Sequence, residues 1–173
     1  STANVTFLSY THPPYLYNSI RGDAGTYNWP TATKVDATSF IGKLRQKTGL
    51  TTLDLPSEAE WEFAARAGVT TKWLCGDSET ELGKYAWYSS NSGSWTSGVG
   101  KLLPNAWGLY DVHGNVWEWC IERRWSNDSP RVVCGGSYES DASSCAFADR
   151  RNTSPSTQSS NVGFRLFCRP KSN

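Results

Sequence analysis

Five cysteines (Cys75, Cys120, Cys134, Cys145 and Cys168) and two histidines (His12 and His113) are the side chains here suited to soft-metal ligation. No two cysteines stand in a C-x-x-C pair, so a cysteine-cluster metal site is not expected. The number is odd. Four could pair in an oxidising location, or all could be buried free thiols, and the spacing does not decide between these. His113 lies inside Asp111-Val112-His113-Gly114, where a loop or capping role is expected, and His12 before Pro13-Pro14 reads as a surface residue. No nucleophile-elbow phrase marks a Ser-His-Asp site.

A different chemistry, recognition by displayed side chains, is suggested downstream. Cys134-Gly135-Gly136-Ser137-Tyr138 and Asn161-Val162-Gly163-Phe164-Arg165-Leu166 bracket a stretch of small and polar residues. The glycines permit tight turns, Phe164 and Leu166 can anchor a strand, and Arg165 can bind loop carbonyls or a carboxylate as a fixed fork. Loops held by such a frame lose little entropy on binding, so affinity depends on what they display.

The elements that must position these residues are few. A first helix is expected from Asp36 as N-cap, with Phe40, Ile41 and Leu44 on one face, ending at Gly49. The second follows Leu55-Pro56, with Ser57 and Glu60 forming a capping box, Trp61, Ala64 and Ala65 facing inward and Gly68 ending it. Residues 1–34 read as strands and irregular loops. The remainder, rich in Gly, Trp, Ser and Asn, completes an α+β pattern without internal repeat. At 173 residues this is read as one domain, 1–173, with nine Trp and no Met to hold a loop-rich core. The net charge of +1 gives no electrostatic reason to expect nucleic acid. No apolar run approaches the ~20 residues of a membrane span, so membrane insertion is not expected.

Four phrases, at Leu55–Gly68, Pro104–Cys120, Gly135–Tyr138 and Asn161–Arg165, resemble in their order the formylglycine-generating-enzyme-type subgroup of the C-type lectin fold. The resemblance spans roughly residues 35–168 and implies two helices packed on short antiparallel strands with much irregular loop. Its members include copper-dependent oxidases of client cysteines and ligand-binding variable proteins of diversity-generating retroelements. The oxidases place two copper-binding thiols five residues apart. Cys145 stands at the first position, but Arg150 occupies the second and cannot ligate copper. No enzyme and no catalytic cofactor are therefore expected.

The variable-protein resemblance implies a diversified region, 131–166, that binds an unknown protein or surface ligand. It also implies display on a virion or cell surface. Adenine-directed mutation of Asn-type codons cannot yield Lys, Glu, Gln, Met or Trp, and between Tyr138 and Asn161 only Glu139 and Gln158 fall outside its reach. A fixed Ser/Asn/Asp-rich loop would pass the same test. The displayed residues are expected to be Val133, Tyr138, Ser140, Asp141, Ser144, Ala146, Phe147, Asp149, Arg151 and Thr153, with Cys134 and Trp125 as flanking candidates. Core packing is the alternative for Tyr138 and Phe147, and ion pairing for Arg150 and Arg151. The resemblance further implies a structural Ca²⁺ held by Asp111, the Gly114 and Val116 carbonyls, and Glu118. The alternative is that both carboxylates satisfy loop amides without metal.

Overall fold

The computed structural model describes residues 17–22, 35–123 and 130–170. A helical turn, α1 (Tyr17–Ile20), stands where strand or loop was expected. Helix α2 (Phe40–Thr48) begins later than the sequence suggested, because Ser39, not Asp36, is the extended N-cap accepting the Gly42 N–H at 3.1 Å. Asp36 instead accepts the Thr38 N–H and hydroxyl in a turn one step earlier. Gly42 is required there, since a Cβ would lie 2.1 Å from the Asp36 carbonyl oxygen. Helix α3 (Glu58–Arg66) has the expected reciprocal capping box between Ser57 and Glu60. It stops at Ala67, whose φ of 47° is left-handed.

The described residues form eight short strands: β1 (Leu53–Asp54), β2 (Ala86–Trp87), β3 (His113–Gly114), β4 (Trp117–Arg123), β5 (Arg131–Cys134), β6 (Arg150–Thr153), β7 (Val162–Gly163) and β8 (Phe167–Cys168). A four-stranded sheet has the order β6-β5-β4-β7; β4, β5 and β6 are antiparallel, and β7 joins β4 in parallel. The parallel pairs β4–β7 and β2–β3 depart from the purely antiparallel expectation. Strands β1 and β8 pair at Leu53 and Cys168, tying the end of the domain to the segment before α3.

Alternation along β4 separates two cores. Trp117, Trp119 and Ile121 pack with Tyr17, Ile20, Ile41, Leu55, Val133 and Phe164. Cys120, on the other face, joins Trp61, Ala65, Val132, Cys134 and Phe147 beneath α3. A third cluster of Trp73, Leu82, Ala86, Ala142 and Ala146 supports the loop after β5. Phe40, expected to face inward, is 40 % exposed and meets Phe164 only by its edge, with ring centroids 5.8 Å apart. Among the described residues no helix is long and apolar enough to cross a membrane.

Candidate functional site

Strand β5 ends at Gly135 and Gly136, with φ of 95° and 79°, a backbone that L side chains rarely adopt. A Cβ on Gly136 would lie 2.5 Å from the Cys145 sulfur, and one on Gly135 2.9 Å from the Trp61 ring. The chain therefore turns tightly against its own core before running through the 3₁₀ turn Ser143–Cys145 and returning as β6. Arg150 opens β6 opposite Cys134 and fastens it to α3. Its guanidinium donates to Glu58 at 2.8 Å, to Glu62 at 2.5 Å and to the Phe147 and Asp149 carbonyls. The loop is thus pinned at both ends, and its middle is held as well, the Ser140 carbonyl accepting the Ser89 N–H and the Ala142 carbonyl the Trp73 indole N–H.

That middle borders a cavity of about 420 Å³. Trp117, Ser137, Ser140 and Ser144 line it together with the charged Glu139, Asp141, Asp149 and Arg151. The Trp117 indole N–H is buried without a hydrogen-bond partner, and the Arg151 guanidinium lies 5.7 Å from its ring. Burial and the charge of Asp141 push the Asp149 carboxyl upward. Asp141 accepts from the Ser143 hydroxyl and the Ser144 N–H, which shapes the turn.

Of the ten expected display positions, Asp141 and Arg151 are exposed, and Ser140, Ser144, Asp149 and Thr153 are half-buried. Four are corrected by their burial. Val133 is inside because its place on β5 turns it into the first core. Tyr138 is 6 % exposed, with its hydroxyl 3.1 Å from that of Ser160. Ala146 fills the third cluster. Phe147 is fully buried, 4.5 Å from the His113 ring and beneath the Arg66 guanidinium at 4.7 Å. Cys134 is also buried. Trp125 and His12 lie outside the described residues. Sequence reasoning missed Trp117, Ser137 and Glu139 as cavity residues, although all three flank the phrases that frame the segment. For Arg150 the structure shows the ion-pairing alternative, but its partners Glu58 and Glu62 were not foreseen, since spacing offered no signal beyond two glutamates one helical turn apart.

The Asp111–Glu118 stretch carries a buried charge network. Glu118 accepts both Nε and Nη2 of Arg165, at 2.9 and 2.8 Å, and the Trp61 indole N–H at 2.6 Å. Arg165 also donates to the Tyr110 carbonyl. Asp111, 4 % exposed, accepts the Gly100 N–H, and burial reinforced by the Glu118 charge pushes its carboxyl upward. Both Glu118 oxygens are thus taken by Arg165 and Trp61, and Asp111 is a second buried carboxylate within the reach of the Arg165 charge. Among the described residues no three His, Cys, Asp or Glu side chains converge. A cation here would therefore depend on the Gly114 and Val116 carbonyls.

His113 is buried with both ring nitrogens occupied: Nε2 accepts the Leu74 N–H at 3.1 Å, and Nδ1 lies 2.7 Å from the Cys145 carbonyl oxygen. Cys145 is buried, and burial pushes its thiol up to about 12. With Arg150 five residues on and bound to two glutamates, positions 145 and 150 do not fit a two-thiolate copper site.

Fold and site together define a C-type lectin fold of the formylglycine-generating-enzyme type, with a pinned loop over a polar cavity. The chain belongs to the sulfatase-modifying factor enzyme 1-like domain family, whose profile matches residues 23–170. It is 37 % identical over 94 residues to the formylglycine-generating enzyme of Mycobacterium tuberculosis, covering 46 % of this chain and 31 % of that protein. It is 33 % identical over 150 residues to the enzyme of Thermomonospora curvata, covering 67 % of this chain and 49 % of that protein. Among solved structures, Treponema denticola variable protein 1 matches with 46 % identity and a TM-score of 0.65, over 68 % of this chain and 48 % of that chain. The chain thus spans about half or less of the length of these proteins. The expectation that it is no enzyme is corrected by these relatives, which are formylglycine-generating enzymes by name.

Proposed function

We propose that this domain binds a protein ligand through the cavity beside β6, and that the residues lining it are open to diversification as in a retroelement variable protein. The observation that carries the reading is the separation of frame from surface. Arg150, the two glycines and the buried Tyr138 and Phe147 hold the backbone, helped by Ser140 and Asp141, which accept the Ser137 and Ser144 N–H groups, while, among the described residues, Asp149, Arg151 and Thr153 contribute side chains without hydrogen bonds to that frame. Arg151 is the hot-spot type among them. The 46 % identity to a variable protein supports the same reading.

A library randomised at Asp149, Arg151 and Thr153 tests it. Most members are expected to melt within about 6 °C of the parent, since surface substitutions cost about 0.5 kcal/mol or less each. Phe147→Ala is expected to cost about 3–5 kcal/mol. Widespread unfolding of the library would sink the reading. DNA beside the gene supplies a second test: a reverse transcriptase and a near-identical repeat differing at adenines support diversification, and their absence favours a binding module of fixed specificity. A second function, oxidation of a client cysteine, is favoured by the curated relatives and is read by formylglycine formation on a cysteine peptide supplied with copper.

A structural calcium ion at Asp111, Glu118 and the Gly114 and Val116 carbonyls belongs to the same proposal, because it would stiffen the segment that supports β4. Calcium at about a hundred times its dissociation constant is expected to raise the melting temperature by about 5 °C or more, and chelation to reverse this. Coincident melting curves with calcium and with chelator would rule the ion out.

A further inference from the structure

We propose that Cys120 and Cys134 form a disulfide that staples β4 to β5 when the chain folds in an oxidising medium. Their sulfurs lie 3.5 Å apart, both residues are fully buried, and both belong to the cluster beneath α3. Cys134 stands opposite Glu118 in the ladder, and Cys120 is two residues further along β4 on the same face. The register shifts between Trp119 and Arg123, next to Cys120. Bonding requires the sulfurs to close to about 2.05 Å, a movement that side-chain rotation and this irregularity can absorb. The other described cysteines differ in kind. Cys75 is half-buried and Cys168 exposed, each with an oxygen partner, and Cys145 packs against Gly136.

The chemistry is thiol–disulfide exchange with the disulfide of a small monothiol such as glutathione disulfide. The Cys120 thiolate attacks one glutathione sulfur, the glutathione S–S bond breaks, and one glutathione leaves as a thiol. The Cys134 thiolate then attacks the Cys120 sulfur and releases the second glutathione. Two electrons pass to the glutathione disulfide, and the two protons from the protein thiols end on the two glutathione thiols. Exchange must precede closure of the core, because burial raises the Cys120 thiol well above its usual range once the sheet is packed. The bond would lock β5, the strand that leads into the Gly135–Gly136 turn, and so fix the origin of the loop over the cavity.

The test refolds the full chain in a glutathione redox buffer, denatures it without reductant, alkylates free thiols and maps the peptides by mass. A Cys120–Cys134 linked peptide two hydrogens lighter than its reduced parts is expected, with Cys75, Cys145 and Cys168 alkylated. Reducing the linked protein is expected to lower its melting temperature by roughly 5–10 °C. The C145A variant is expected to keep the link, which separates this pair from scrambled pairing if C120A and C134A fail to fold. Alkylation of both cysteines after the oxidising refold overturns the proposal. So does linkage of either one to another cysteine, or native mass showing a metal ion held between two free thiols.

Discussion

Replacing Glu118 with alanine is expected to lower the melting temperature by roughly 10 °C or more, an effect as large as that of Phe147→Ala. The carboxylate is 1 % exposed and satisfies the Arg165 fork and the Trp61 indole at once. Alanine strips the buried Arg165 of its ion-pair partner, and breaking a buried pair in this way costs about 3–5 kcal/mol. Arg165→Met alone is expected to be similarly harmful, because it leaves Glu118 unpaired. The double variant Glu118→Leu/Arg165→Met is expected to recover much of the loss, since desolvation of both charges is then avoided. Additive losses in the double variant would show that the two residues do not act as a pair. Glu118→Ala is also expected to abolish any stabilisation by calcium, which separates the carboxylate's two roles.

Acid is expected to destabilise the domain through His113. Its pKa falls from the usual 6.5 to about 4 because burial opposes the charge, an effect that the Cys145 carbonyl only partly offsets and that the Arg66 charge adds to. A second proton would also turn Nε2 into a donor facing the Leu74 N–H. The folded-state pKa lies below the unfolded value, so the unfolded chain binds more protons between pH 6.5 and about pH 4. The stability from this group is complete above pH 6.5 and is lost as pH falls toward 4, about 3 kcal/mol in all. Glu122 acts in the opposite sense. Burial lifts its carboxyl to about 7, so its contribution is lost as pH rises from about 4.5 to 7. Chemical unfolding of the wild type, His113→Gln and Glu122→Gln at pH 4 to 8 separates the two. Between pH 4.5 and 6.5 the two nearly cancel in the wild type, so His113→Gln is expected to leave stability falling as pH rises and Glu122→Gln to leave it rising; an unchanged slope in His113→Gln would exclude His113 as the acid-sensitive group.

Local chemistry made part of this domain legible. The Ser57–Glu60 capping box specifies the start of α3 because both groups lie within one turn, and no distant partner is needed to form it. Gly49 at the end of α2 is equally local. Asp36 and Ser39 could each cap a helix by residue type. The choice between them fell to the close approach of Gly42 to the Asp36 carbonyl, which no local pattern reveals. Likewise, a Phe among small polar residues looks available for binding. Phe147 is buried because the loop carries it into the cluster beneath α3, between the His113 ring and the Arg66 guanidinium.

The sequence by itself determined the family, the two long helices, the polar character of the segment between the Gly-Gly and Gly-Phe-Arg phrases, and the absence of a second thiol at position 150. These follow from residue identity and short spacing. Tertiary structure alone decided which residues of that segment face the cavity, that Arg150 is a clasp on α3, that Arg165 neutralises Glu118, and that Cys120 and Cys134 lie side by side. Each of these depends on which strands become neighbours, and strand pairing is set by the burial of whole faces, not by the residues whose side chains it brings together.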